Sequence, residues 1–220
     1  ALPDCLRGHM TGQTIPSLFM ARVKDFPDRV ALREKTYGIW RDITWREYGE
    51  KVKAVALGLI FLGLRKGECV PLIGENTPEW VFSDIGIMCA GGVTAGIYTT
   101  NAAEQCGYIV SHSESRFYIV ENEEQFDKAL RFRKDAPQLE KIIVMDMEGL
   151  KRFEDPMLMS FDQLLELGKE EDRKNPDLFR QLTELAQPDD IAGIIYTSGT
   201  TGPPKGALLA HEGYLWIAQS

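Results

Sequence analysis

The ten residues from Thr197 to Gly206, "TSGTTGPPKG", are three Gly, four Ser or Thr, two Pro and one Lys, with no acid and no apolar side chain larger than proline. Glycines let backbone N–H groups come close to a ligand, hydroxyls donate to anionic oxygens, and the Lys205 ammonium adds a point charge. That chemistry suits a phosphate cradle, and a nucleoside triphosphate is the first candidate to fill it. Pro203 and Pro204 have no N–H, so the donors must come from the Thr197–Gly202 half, and the stiff prolines set the approach of Lys205. A solvated strand connector would also be polar. Solvation alone does not explain why glycines, hydroxyls and a lysine collect while acids stay out.

The spacing excludes the common phosphate loops. A P-loop needs G-x-x-x-x-G-K-[ST]. Counted from Gly199, its second glycine falls on Pro204 and its Ser or Thr on Gly206. The kinase glycine-rich loop and the dinucleotide G-x-G-x-x-G fail as well.

Strands must present this loop. "IAGIIY" before it reads as a buried strand, "GALLAH" after it as a second apolar strand, and "EGYLWIAQS" as the start of a helix. Upstream, "RVALREKTYGIWRDITW" has alternating apolar positions around a Tyr-Gly turn and reads as a hairpin. Thr44 and Glu47 form a capping box for a helix carrying Val52, Val55, Ala56 and Leu59 at helical spacing, ended by Gly63 or Gly67. "CVPLIG" is a strand, and Thr77 with Pro78 starts the next helix. "VTAGIY" is a strand, Asn101 and Glu104 repeat the capping pattern, "RFYIV" is a strand, a helix runs from Glu123, and "KIIVMD" is a further strand. Such alternation predicts an α/β fold, a mostly parallel sheet with flanking helices and an early β-hairpin. From Met147 to Asp190 the β signal fades, and the charge-rich sequence reads as surface helices closing with "QPDD".

The chain has 220 residues, 44% of them hydrophobic, enough for one large domain or two small ones with a substantial core. Its net charge of -8 arises between Glu121 and Asp190, which hold 19 acids and 11 bases, while the remaining residues balance. There is no basic stripe for nucleic acid or an anionic membrane, and no nucleic-acid partner is expected. Cys5, Cys69, Cys89 and Cys106 lack metal-ligand spacing and read as buried thiols of a reducing compartment. His9, His112 and His211 are too scattered to argue for a metal site. "IGIMCAGGVTAGIYTTNAA" has too short an apolar core to span a bilayer and reads as a helix end followed by a strand. Residues 1–13, which contain "GHM", read as a leader or cloning remnant and carry no secretory signal. Three local features have plain explanations. Glu75–Trp80 is accounted for by a capped helix start, Glu121–Glu124 by exposed helix-initiating acids, and His211 by capping or packing as well as by contact with a substrate.

"YTSGTTGPPKG" resembles the phosphate-binding signature of the adenylate-forming (AMP-binding) superfamily of acyl-CoA synthetases, luciferases and peptide-synthetase adenylation domains. The likeness extends through "DRVALRE", "ITWREYGEKVKAVALGL", "GLRKGECVPLIGENTPEWV" and "GIYTTNAAEQCGYIVSHSESRFYIVEN", which look like the N-terminal region of long-chain fatty acyl-CoA synthetases. The resemblance implies activation of a fatty carboxylate by ATP to acyl-AMP and pyrophosphate, followed by transfer to coenzyme A. It places Thr197, Ser198, Gly199, Thr200, Thr201, Gly202 and Lys205 on the β- and γ-phosphates of magnesium-ATP, with Thr197 also a Mg²⁺ ligand. Tyr196 matches the family pattern too, although packing explains it equally. The family's adenine and ribose contacts, magnesium-binding Glu, acyl tunnel and C-terminal lysine have no counterpart here. Members are more than twice this length, so residues 14–220 read as the N-terminal portion of the adenylating domain, with no catalytic residue of its own and no complete activity alone. A cytoplasmic location, peripheral membrane contact and self-association of the isolated piece fit the same resemblance. Another carboxylate, a carrier-protein acceptor, or a non-catalytic nucleotide-binding module remain open alternatives.

Overall fold

The computed structural model describes residues 13–197 and 203–219. Cys5, His9 and the loop residues Ser198, Gly199, Thr200, Thr201 and Gly202 lie outside the described residues.

Thr14 opens α1 (Ile15–Asp25), its hydroxyl accepting from the Ser17 N–H. The expected hairpin is β1 (Val30–Thr36) paired antiparallel with β2 (Ile39–Thr44). Tyr37 and Gly38 both have positive φ, the two-residue turn whose twist suits antiparallel strands. α2 (Trp45–Phe61) starts on the reciprocal box read from the sequence. Glu47 N–H donates to the Thr44 hydroxyl at 3.2 Å, and Thr44 N–H donates to the Glu47 carboxylate at 2.8 Å. Val52, Val55, Ala56 and Leu59 are fully buried, as their spacing required. The helix closes where Gly63 N–H and Leu64 N–H return to the Ile60 and Leu59 carbonyls.

β3 (Cys69–Ile73), α3 (Pro78–Cys89), β4 (Val93–Ile97), α4 (Ala103–His112), β5 (Phe117–Val120), α5 (Glu123–Phe132) and β6 (Lys141–Val144) alternate as expected. One cap moves. Asn101 N–H is spent on the Tyr98 carbonyl in the turn leaving β4. The N-cap of α4 is therefore Ala102, whose N–H donates to the Gln105 side chain at 2.9 Å, and Asn101 with Glu104 is not the capping pair.

Between Met147 and Asp190 the structure corrects the reading of plain surface helices. β7 (Leu158–Ser160) adds a short strand, and α6 (Phe161–Lys174) is more than a surface helix. Leu164 is fully buried, and the helix crosses α2 with the two backbones in contact. A Cβ on Gly168 would lie 1.8 Å from the Ala54 carbonyl oxygen, and one on Gly58 would lie 2.4 Å from that of Leu164. The outward charges hid this seam from a reading of composition. Lys53 on α2 and Asp172 on α6 pair across its rim at 2.6 Å. α7 (Leu178–Leu185) packs Phe179 into the same core.

β8 (Ile191–Thr197), β9 (Lys205–Ala210) and α8 (His211–Gln219) complete the described chain. The seven-stranded sheet has the order β7-β6-β5-β3-β4-β8-β9, parallel throughout except for the antiparallel β8–β9 pair. Residues alternate between its faces with the period of two that strands impose. Val70, Leu72, Phe117, Ile119 and Ile143 pack with α1, α2, α3, α6 and α7. Ile73, Ile97, Tyr118, Val120 and Ile142 pack with α4 and α5 on the other side. β8 is less buried than its apolar run suggested. Its pairing with β4 stops at Ile194, beyond which only β9 lies beside it, and Ile195 is 48% exposed. No helix among the described residues is long and apolar enough to cross a membrane.

Candidate functional site

The loop singled out by composition joins β8 to β9, and its two ends are locked together. Thr197 pairs with Lys205 and Tyr196 with Gly206 in the antiparallel register, so the chain leaves and re-enters the sheet at one point. Of the expected site residues, Thr197 and Lys205 are therefore brought together, and both are exposed. Ser198 to Gly202 carry the expected N–H and hydroxyl donors outside the described residues. Lys205 makes no ion pair with any described carboxylate, which leaves its ammonium available to an anion.

α4 meets both flanks of this loop. The Tyr108 hydroxyl donates to the Pro204 carbonyl at 3.0 Å, and His112 Nδ1 lies 3.0 Å from the Tyr196 hydroxyl. The Tyr108 and His112 rings stack with centroids 5.3 Å apart, and Tyr196 stands edge-on to both. Burial pushes the Tyr196 phenol up to about 12, with Cys69 and Tyr108 adding to the rise and Ser113 opposing it. It keeps its proton at neutral pH.

Beside the loop a cleft of about 550 Å³ opens at the carboxyl ends of β3, β4 and β8. Open α/β sheets bind ligands at this end, because each strand's exit loop diverges there. The cleft wall includes Trp80 and Asp84 from α3, Thr94 and Gly96 from β4, Tyr196 from β8 and Tyr214 from α8. Burial pushes the Asp84 carboxyl up to about 6, partly offset by Thr94. Tyr214 is raised by burial and, secondarily, by Asp84.

Two of the plain readings from sequence hold, with further contacts beside them. Thr77 does cap α3, its hydroxyl accepting the Trp80 N–H at 3.3 Å, yet Glu75, Asn76 and Trp80 also line the cleft. Glu123 and Glu124 stand in the first turn of α5, and Glu121 lies just before its Asn122 N-cap. Glu121 accepts the Glu75 N–H at 3.0 Å, while the Glu75 carboxylate accepts the Thr99 hydroxyl at 2.7 Å, joining the ends of β3, β4 and β5. The signal that could have found these residues was position. Gly74–Asn76 and Tyr98–Thr99 follow parallel strands directly, where the fold class puts its ligands. Asp84 and Tyr214, one turn or more inside helices, carried no such mark.

His211 is 3% exposed and begins α8 directly after β9, its N–H donating to the Asp190 carbonyl at 3.1 Å, at the far end of the hairpin from Thr197. Burial lowers its pKa, against an opposing pull from Asp190. It packs there, away from the cleft. Cys69, Cys89 and Cys106 are buried and unpaired, and burial raises each thiol, Cys69 to about 11.

A mostly parallel sheet with Thr197 and Lys205 paired at the end where open α/β sheets bind ligands is an arrangement shared with adenylate-forming enzymes. A family model described as AMP-binding enzyme matches residues 19–220, and the chain belongs to that family. Among its relatives, the long-chain-fatty-acid–CoA ligase ACSBG2 of Xenopus laevis is 37% identical over 205 residues, covering 93% of this chain and 27% of that protein. The Homo sapiens ACSBG2 ligase is 36% identical over 212 residues, covering 96% of this chain and 31% of that protein. The chain thus spans less than a third of the length of these relatives. Among solved structures, the anthranilate CoA ligase AuaEII with anthranoyl-AMP superposes with a TM-score of 0.76 at 28% identity, covering 94% of this chain and 36% of that one. The A-PCP didomain of a carboxylic acid reductase from Segniliparus rugosus with AMP shares the fold, with a TM-score of 0.74 at 18% identity over 96% of this chain and 34% of that one.

Proposed function

We propose that this chain is the N-terminal portion, residues 14–220, of the adenylating domain of a long-chain fatty acid:CoA ligase. The observation that carries the reading is the locked loop base, which sets Thr197 and Lys205 side by side next to the cleft. The ligase names of the relatives supply the substrate class.

In this account a fatty carboxylate oxygen attacks the α-phosphorus of ATP, the bond to the β-phosphate oxygen breaks, and acyl-AMP and pyrophosphate result. The coenzyme A thiol then attacks the acyl carbon and AMP leaves. Thr197, Ser198, Gly199, Thr200, Thr201, Gly202 and Lys205 hold the β- and γ-phosphates. Their N–H groups, hydroxyls and ammonium neutralise the charge that builds on the departing pyrophosphate, a preorganised electrostatic effect. The donor set fits that task, since an exposed ammonium that makes no ion pair with a carboxylate among the described residues is matched to a polyanion. Mg²⁺ would offset further phosphate charge, with the Thr197 hydroxyl as one ligand. Mg²⁺ is commonly held by one or two protein ligands together with substrate phosphates, so the metal would enter on the nucleotide. The buried, unpaired thiols support a reducing, cytoplasmic setting.

The test is ATP–pyrophosphate exchange by the full-length protein across carboxylic acids. Exchange that requires a long-chain acid is expected. Exchange with other acids only would move the substrate class, and exchange with none would remove the ligase reading.

A further inference from the structure

We propose that Tyr108 and His112 are positioning residues for the phosphate loop, clamping its two flanks to one turn of α4. The inference rests on the ligase reading and deepens it. The two side chains stand four apart on the helix and so share a face. One reaches the residue before Thr197, the other the residue before Lys205. Tyr108 donates to the Pro204 carbonyl, and His112 Nδ1 meets the Tyr196 hydroxyl, each at 3.0 Å.

The chemistry of the flanks makes this attachment informative. Pro203 and Pro204 have no N–H, so no donor of theirs can tie that side of the loop to the protein. Their carbonyls remain as acceptors, and a phenol on a rigid helix donates to that of Pro204. On the other flank the Tyr196 hydroxyl, which can donate or accept, lies within hydrogen-bond distance of His112 Nδ1, and the imidazole tautomer sets which of the two donates. The three rings close the space between the bonds, with Tyr196 at 87° to Tyr108 and 86° to His112. Both ends of the loop are thereby referenced to a single helical turn, and the backbone that carries Lys205 is held against movement relative to Thr197. Neither Tyr108 nor His112 is assigned a contact with substrate.

The experiment uses the full-length protein and compares Tyr108→Phe, His112→Ala and His112→Asn with the wild type in the two half-reactions. Tyr108→Phe keeps the ring and removes only the donor. Asn offers a polar group near the Nδ1 position. Expected are a fall of about tenfold in kcat/KM for ATP in acid-dependent pyrophosphate exchange for Tyr108→Phe and His112→Ala, partial recovery in His112→Asn, an unchanged KM for the acid, and an unchanged rate of thiol transfer from preformed acyl-AMP. Wild-type kcat/KM for ATP in both variants would overturn the clamp while leaving the ligase reading intact. An equal fall in both half-reactions with a lowered melting temperature would overturn it too, in favour of a purely structural role. No exchange by the wild type with any acid would remove the function, and this role with it.

Discussion

Thr197 and Lys205 face each other across the last register pair of β8 and β9, eight residues apart in the chain and adjacent in the sheet. A loop tied at its base loses less freedom when it closes on a ligand than an untethered one. In the full-length ligase, Lys205→Ala is expected to lower kcat of the adenylating half-reaction by about 10²- to 10³-fold, the usual loss for one donor aimed at developing charge. Lys205→Arg keeps the charge on a different geometry and should recover part of the rate. Steady-state pyrophosphate exchange measures both. Wild-type kcat in Lys205→Ala would remove this residue from the site.

Asp84 gives the fold a pH dependence of known sign. Its carboxyl is pushed up to about 6, above the unfolded value, so the folded protein holds a proton that the unfolded chain releases. The stability from this group is fully present below about pH 4 and is lost as pH rises through about 6. Asp84→Asn should remove that fall and gain about 1–2 kcal/mol at pH 7, allowing for the group's partial exposure. Urea unfolding at pH 4.5 and 7 reads the difference. An equal stability change in both chains over that interval would contradict the assignment.

The seam between α2 and α6 admits no side chain at Gly168. Gly168→Ala gains about 1 kcal/mol of helix propensity, but its methyl must displace the Ala54 backbone, which lies within 1.8–2.9 Å of the added carbon. The net loss should be about 2 kcal/mol, and Leu164→Ala nearby should lose about 3 kcal/mol by leaving a cavity. Denaturant midpoints at constant slope measure both. A Gly168→Ala protein as stable as wild type would mean that the helices do not cross so closely.

Much of the fold was legible because local chemistry and position agree. Thr44 with Glu47, and Thr77 with Pro78, capped the helices they announced, and the apolar runs of β3 to β6 all became parallel strands. What stayed hidden was set by tertiary neighbours. α6 presents Glu166, Lys169, Glu170 and Arg173 in sequence, and its buried seam depends on Gly58 from a helix about a hundred residues earlier. β7 is three residues long and exists through its pairing with β6. The loop at Thr197–Lys205 stood out because its composition is itself the chemistry. The cleft beside it did not, since Trp80, Asp84 and Tyr214 read as ordinary helical residues until the sheet brings them to one end.

On the proposal that the adenine and ribose contacts belong to the rest of the ligase, the 220-residue chain is expected to bind ATP weakly or undetectably by itself. Ile195, Leu208 and Ile217 are 48%, 62% and 60% exposed, and this apolar surface should make the isolated piece self-associate. Calorimetry and sedimentation of residues 1–220 test these two points. Micromolar ATP affinity would contradict the first, and a strict monomer at high concentration the second.

The proposed chemistry is adenylyl transfer, with the loop gripping the leaving pyrophosphate. The most direct measurement follows the carboxylate oxygen. With a long-chain acid labelled with ¹⁸O in its carboxyl group, ATP and coenzyme A, the full-length protein should place one labelled oxygen in AMP, because the attacking oxygen stays on phosphorus when the thiol cleaves the acyl–oxygen bond. ADP as the product, with the label in inorganic phosphate, would show transfer of the γ-phosphoryl group and contradict the account.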